Sequence, residues 1–373
     1  MAEKKIFIDL LNLATPQIAG VGYFTRNLLS RWLAQKELPY QIVCYSSSAV
    51  RAEEVFGFKT SSKIKLVSVN IKHVVARLFY QQFLLPFILT KYDAYYNPAV
   101  GLPFLARLIS PGTKLIVTIH DMTPFFFSRK YSRGRSILVK ALSKYASKAA
   151  HAIITVSQNS KNDIMSVANV PPHKITVVYN FIPHEYELEN NQDDHYFLCI
   201  STIEPGKNIE NTIKGFAKFR QDPKFHNYKF YWMGRVGWVY TDNVVTEFIQ
   251  GVNVQDSFIR LGYLTEEEKA SWIRKCTAIV YLSYYEGFGL PVLEGLSYNK
   301  PAVVSNVSSL PEVVGKTGVQ CGPDDILAIG EALKTIISER EKFVAEIPEQ
   351  IKKFDPGVQI EIFDQTIRRL VRE

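Results

Sequence analysis

Residues 281–301 read YLSYYEGFGLPVLEGLSYNKP. Thr277–Leu282 is a β-type run, Tyr284–Gly289 a tight glycine loop, and Pro291 suits the first turn of a helix. Glu286 falls in the loop and Glu294 in the expected first helical turn. Strand, glycine loop and helix start together aim free backbone N–H groups and the positive dipole end at one spot, which suits an anion. Carboxylates beside a phosphate site are better placed to accept hydrogen bonds from hydroxyls than to hold the phosphate. A ligand with both phosphates and hydroxyls is a nucleotide sugar. The plainer alternative is a simple Gly-Phe-Gly turn followed by glutamates that complement a helix dipole.

A chain of 373 residues fits two domains, and 47% hydrophobic with 21% charged residues is a globular composition. The boundary is expected after Glu187, in the polar linker Tyr179–Asp194, giving domains at 1–187 and 188–356 and a terminal helix at about 357–373. Cys44, Cys199, Cys276 and Cys321 form no CxxC pair, which argues against a zinc site or disulfide framework and fits a reducing cytosol. No secretory signal and no spanning run of roughly 18–20 apolar residues is visible. Residues 1–187 hold 23 Lys+Arg against 10 Asp+Glu, a net of +13, while the remainder holds 21 against 26, a net of −5. Such asymmetry suits an anionic membrane surface or a phosphate-bearing acceptor. No zinc finger, RNP-like motif or heptad-bearing basic region points to nucleic acid.

The first half opens with a buried strand at Lys5–Leu11, a loop at Thr15–Gly22 containing Gly20 and Gly22, and a helix at Tyr23–Leu33. Strands are expected at Tyr40–Tyr45, Ile64–Val69, Ala94–Tyr96, Lys114–His120 and Ala152–Val156. Helices are expected at Val74–Thr90 and Gly134–Lys148. Alternation of this kind predicts a mostly parallel sheet with ligands at the strands' carboxyl ends, where His120-Asp121 lies. Val74–Leu89 and Phe125–Lys148 mix aromatic, aliphatic and basic residues as interfacial helices do, though core helices carry the same pattern.

The second half repeats the pattern: strand Tyr196–Ser201, loop Thr202–Asn208, helix Ile209–Phe219, strand Lys229–Met233 ending in Gly234-Arg235-Val236-Gly237, then strands at Phe258–Leu261 and Pro301–Ser305. Thr265 and Glu268 spell a capping box. Lys207, Arg235 and Glu286 thus follow strand ends, so two cations and a helix start are expected around one diphosphate.

These residues resemble a known family. Glu286-Gly287-Phe288-Gly289-Leu290-Pro291 with Glu294 is similar to the E-x7-E signature of retaining GT-B glycosyltransferases of family 4. Ser305-Asn306, Ser308–Val313, Gly322–Asp325, Thr202–Asn208 and Gly234–Trp238 extend the likeness, as do Gly20-Val21-Gly22, Thr118–Asp121, Ser157 and Tyr179-Asn180 in the first half. Within the family the resemblance leans toward bacterial mannosyltransferases of O-antigen and related surface polysaccharides.

The resemblance implies a GT-B fold: two Rossmann-like, doubly wound α/β domains facing a central cleft, with the C-terminal helix crossing back onto the first. Lys207, with Arg235, would hold the diphosphate. Glu286 would contact the donor sugar and Glu294 the ribose. The N–H groups of Phe288, Gly289 and Leu290 would reach phosphate and sugar. Gly20 and Gly22 would let the first domain approach the diphosphate, and His120, with Asp121, would sit beside the reacting carbon on the acceptor side. The implied activity is hexose transfer, with mannose from GDP-mannose, onto a lipid-linked oligosaccharide at the inner face of the cytoplasmic membrane. No metal and no cofactor beyond the nucleotide-sugar donor is expected. A UDP or dTDP donor, or an idle scaffold that docks another polysaccharide assembly enzyme, are the alternatives. Gly206 where the family usually has Arg, Leu282 for Pro and Asn299 for Gly are departures.

Overall fold

The computed structural model describes residues 3–11, 13, 20–35, 38–57, 60–71, 73–127, 133–189, 192–237 and 239–372. Thr15–Ala19 of the expected glycine loop, residues 128–132, Asn190-Asn191 of the linker and Trp238 lie outside the described residues. The chain divides into two units: Met1–Phe125, Arg133–Phe181 and Pro356–Glu373 in the first, and Phe126–Ser132 with Ile182–Asp355 in the second.

The first unit holds strands β1 (Lys4–Asp9), β2 (Tyr40–Ser46), β3 (Ile64–Ser68), β4 (Ala94–Asn97), β5 (Lys114–Thr118), β6 (Ala152–Thr155) and β7 (Ile175–Val177). They form one parallel sheet in the order β3-β2-β1-β4-β5-β6-β7. Their apolar runs are buried on both faces, as helices on either side require: β4 and β6 are buried at every position. Strand order reverses between β1 and β4, which makes that crevice the topological switch point.

The second unit holds β8 (Tyr196–Ile200), β9 (Lys229–Met233), β10 (Phe258–Gly262), β11 (Ala278–Tyr281), β12 (Ala302–Ser305) and β13 (Gly318–Cys321), in the order β10-β9-β8-β11-β12-β13. Here the reversal lies between β8 and β11. An aromatic core of Phe197, Phe216, Phe219, Phe230 and Trp232 fills the space behind β8 and β9. β7 and β13 are short strands at the sheet edges that periodicity did not reveal; each is three or four residues long.

The terminal helix Pro356–Arg372 belongs to the first unit. Buried Asp364 accepts from Trp32 Nε1 at 2.9 Å, and Gln359 Oε1 accepts from the Tyr179 N–H at 2.9 Å. Phe363 packs edge-on against Trp32. The division at Phe181 lies six residues before the point that composition marked. Pro183–Glu187 goes with the second unit because the Glu187 N–H donates to Ser297 O at 2.7 Å and its carboxylate forms a two-pronged pair with Arg274.

Two local expectations need correction. Gly20-Val21-Gly22 is not a loop but the first turn of the helix Gly20–Leu33, for a helix start tolerates glycine where its interior would not. The helix after the central loop runs Leu290–Ser297 with Pro291 at its second position, so Glu294 lies in the second turn and not the first.

Candidate functional site

The carboxyl ends of β9, β8, β11 and β12 are neighbours, and each is followed by a loop carrying chemistry. After β8, Pro205–Lys207 forms a single 3₁₀ turn that ends in Asn208 at φ 56°. After β9, Gly234 takes φ 143°, and a Cβ there would lie 2.0 Å from Ser201 O. That close approach locks the two loops together: the Ile203 N–H donates to Arg235 O at 2.9 Å and the Gly237 N–H to Ile203 O at 3.0 Å.

Lys207 and Glu286 flank the switch point and form a close ion pair, both largely buried. Lys207 Nζ also donates to Tyr281 Oη at 3.0 Å. Burial pulls the Lys207 ammonium down, but Glu286 and Tyr281 outweigh it, so its pKa is raised and the side chain is a fixed cation. Glu286 is itself held by its backbone. Its N–H donates to Ser308 Oγ at 3.1 Å, and Ser309 Oγ donates to the carbonyls of Glu286 and Phe288 at 3.0 and 2.9 Å. Gly289 then caps the helix at φ 104°, where a Cβ would meet Leu310 Cδ2 at 2.6 Å. At the first position of this helix the Leu290 N–H has no acceptor within the helix, Pro291 carries no N–H, and the Val292 N–H donates to Gly289 O at 3.0 Å. Phe288 contributes differently from its neighbours, since its ring is buried against Phe354.

Glu294 lies one turn deeper with its side chain largely covered, and accepts from Lys269 Nζ at 2.7 Å. Burial raises the Glu294 pKa against the pull of Lys269, while Lys269, also bridged to Glu266 at 2.9 Å, is raised by its two carboxylates despite burial. The Glu294–Lys269 pair was not foreseen. Lys269 lies on the helix Glu266–Lys275, whose capping box at Thr265 and Glu268 is present as expected, but nothing local says that this face turns to Glu294. Arg235 is not brought to Lys207 by any side-chain contact among the described residues. It is exposed and lines a separate hollow of about 850 Å³ with Asp242, Arg260 and Gly262.

In the first unit, His120 follows β5, next to the switch strand β4. Its Nε2 lies 2.9 Å from Pro98 O, and its ring meets Phe24 edge-on. Burial lowers its pKa against the opposing pulls of Pro98 O and Asp121, so the imidazole is neutral at pH 7. With Nε2 donating to Pro98, Nδ1 is left as the acceptor nitrogen. Asp121 caps the next turn, accepting from the Thr123 N–H at 2.8 Å. Gly20 begins its helix with open space where a Cβ would go. Sequence reasoning missed Asp9, at the end of β1 on the switch point. It is buried and accepts from Tyr95 Oη at 2.8 Å, Gln81 Nε2 at 3.1 Å and the Leu11 N–H at 3.0 Å, and burial raises its pKa. The only local signal was an acid inside an apolar strand.

Two cation–carboxylate pairs around a helix start, at the reversal of a parallel sheet, are what a phosphate-and-hydroxyl ligand requires. The comparisons agree with that chemistry. Residues 183–354 match the model for glycosyl transferases group 1, and residues 18–186 match that for glycosyltransferase family 4. The chain belongs to the family 4 glycosyltransferases. O-antigen chain mannosyltransferase B of Escherichia coli is 30% identical over 58% of this chain and 59% of its own length. O-antigen chain mannosyltransferase RfbU of Salmonella typhimurium is 26% identical over 66% of this chain and 65% of its own length. The matched region therefore spans less than two thirds of each relative. The Anabaena protein HepE, crystallised with UDP and glucose, superposes with a TM-score of 0.74 at 15% identity, covering 98% of this chain and 100% of that one. That likeness establishes the GT-B fold.

Proposed function

We propose that this family member transfers a hexose, mannose from GDP-mannose, with retention, onto a lipid-linked oligosaccharide of a bacterial surface polysaccharide. The Lys207–Glu286 pair carries the reading. In the resting chain each neutralises the other. An incoming diphosphate offers Lys207 a stronger anionic partner, which frees Glu286 to accept from the sugar's hydroxyls. The same exchange at Lys269–Glu294 turns Glu294 toward the ribose. As the anomeric C–O bond breaks, the electron pair goes to the diphosphate, whose growing charge is met by Lys207 and the backbone N–H groups of Gly289 and Leu290 at the helix start. The departing phosphate oxygen takes the acceptor hydroxyl's proton, and the acceptor oxygen enters on the same face. His120 orients that acceptor as a neutral imidazole, with Asp121 shaping the turn beside it. Arg235 supplies longer-range positive potential.

The acceptor's lipid motivates a membrane assignment. The first unit exposes Leu78, Phe79, Phe83, Leu84 and Phe87 along Val74–Leu89, around a π-helical turn at Tyr80–Leu84. Phe79 and Phe83 pack on each other at 4.9 Å, so the apolar face is continuous. With the +13 charge of residues 1–187 it suits an anionic bilayer surface at the inner face of the cytoplasmic membrane. Among the described residues no helix is long and apolar enough to cross a membrane, and no three His, Cys, Asp or Glu side chains gather as a metal site.

A thermal-shift panel of GDP-, UDP-, ADP- and dTDP-sugars, followed by transfer of radiolabelled mannose, tests the proposal. GDP-mannose should stabilise most and label a polyprenyl-linked glycan without added metal. Stabilisation by UDP-sugars alone, or activity lost to EDTA and restored by Mn²⁺, overturns the donor or the metal assignment respectively.

A further inference from the structure

Beside the Glu286 loop, within the second unit, lies a hollow of about 450 Å³ that the donor chemistry leaves unused. Its size falls in the roughly 300–1,000 Å³ range of small-molecule sites. We propose that it is a subsite for a neutral saccharide, distinct from the nucleotide-sugar site.

The lining is aromatic. Phe126, Phe127, Tyr240, Tyr284 and Tyr285 all border it. Phe126 lies nearly parallel to Tyr285, ring centroids 5.3 Å apart, and Phe127 nearly parallel to Tyr284 at 6.2 Å. Phe126 still exposes 51% of its surface, so a broad ring face is offered at the mouth. The polar lining is carboxylate and amide: Glu210, Asp324, Asn208 and Asn211. No Lys, Arg or His borders it among the described residues. A phosphate would find no cation there. A pyranose, by contrast, has apolar C–H faces that pack on aromatic rings and hydroxyls that donate to carboxylates and amide oxygens.

The polar groups are also fixed in place. Tyr284 Oη donates to Asp324 at 2.7 Å, and Asn211 Nδ2 donates to Tyr284 Oη at 3.1 Å and to Pro323 O at 3.2 Å. Such ordering lets a weak polyol bind without first arranging its acceptors. The departure at Gly206 belongs to the same construction. A Cβ there would lie 3.3 Å from the Phe127 ring, so the arginine usual in the family would crowd the ring that closes the hollow. The Gly206 carbonyl instead accepts from the Tyr284 N–H at 3.0 Å, which ties the diphosphate turn to the aromatic loop. Tyr284 and Tyr285 immediately precede Glu286, so a sugar seated here is coupled to the loop that reads the donor.

Saturation-transfer NMR and calorimetry with α-mannotriose and maltotriose test the subsite directly, without requiring turnover. At least one trisaccharide should bind, and should stay bound in the presence of saturating GDP or UDP. Phe126→Ala and Tyr285→Ala should each weaken that binding fivefold or more. Asp324→Asn, which keeps the side chain's shape, should weaken it with an unchanged thermal midpoint. Binding by neither sugar, displacement by nucleotide, or unchanged affinity in all three variants overturns the proposal. A chain that binds trisaccharide but no nucleotide supports the subsite while refuting the donor reading.

Discussion

The proposed chemistry turns on Lys207, whose charge Glu286 and Tyr281 hold against the opposing effect of burial. Lys207→Ala should lower turnover about 10²–10³-fold, the usual cost of losing a charge-stabilising donor in a transition state. Single-turnover transfer of labelled sugar measures it. Gly289 is equally constrained by backbone geometry. At φ 104° and with Leu310 2.6 Å from any added Cβ, Gly289→Ala should cost roughly 1–3 kcal/mol in urea unfolding. His120 makes a prediction in pH. Its folded pKa is lowered by burial, so between that value and the unfolded value of about 6.5 the unfolded chain binds more protons. Stability must therefore rise as pH rises through that window and level off above it. His120→Asn should flatten this part of the thermal-midpoint profile relative to wild type, and an unchanged profile would contradict the assignment. Glu286, Lys207 and Glu294 were legible as residues because a strand, a glycine loop and a helix start are local signals. Their partner Lys269 was not, and Ser308 and Ser309 were marked by the resemblance without a role, for each arrives from another loop or helix and only the packed sheet brings it near.

At the scale of the element, the strands and helices followed from apolar runs and caps wherever those runs were long. The Thr265–Glu268 box is an instance: both halves of the reciprocal bond form, with Glu268 accepting from the Thr265 N–H at 2.8 Å. Thr265→Ala should cost about 0.5–2 kcal/mol, read from chemical denaturation. It should also loosen Lys269, which rides on the same helix, and so weaken the Glu294 pair. Elements failed to show where other forces set them. β7 and β13 are too short for a period to emerge, and their place is fixed by pairing with β6 and β12. The glycine pair at Gly20 and Gly22 signalled a loop by composition, yet the helix begins there. Asn299 is the opposite case. It takes φ 59°, so the turn that the family usually builds with glycine is kept by a residue that tolerates the left-handed region.

Over the whole molecule, two doubly wound sheets place their chemistry at their own switch points: Asp9 beside β4 in the first, Lys207 and Glu286 in the second. The terminal helix is bound to the first unit by buried Asp364 on Trp32. The exposed Phe79, Phe83 and Phe87 give the first unit a surface unlike that of the second. Wild-type protein should co-sediment with phosphatidylglycerol vesicles, and a triple Phe→Ser variant at these positions should lose at least fivefold of that binding with its fold intact. Undiminished sedimentation would move the membrane contact elsewhere. The central claim is that the Lys207–Glu286 pair opens to take a nucleoside-diphosphate sugar, and calorimetric titration of GDP-mannose tests it most directly. The account predicts binding to the wild-type chain, loss of most affinity for both GDP and GDP-mannose in Lys207→Ala, and in Glu286→Gln a loss confined to the sugar-bearing ligand. Equal affinity for GDP-mannose in wild type and Lys207→Ala would contradict it.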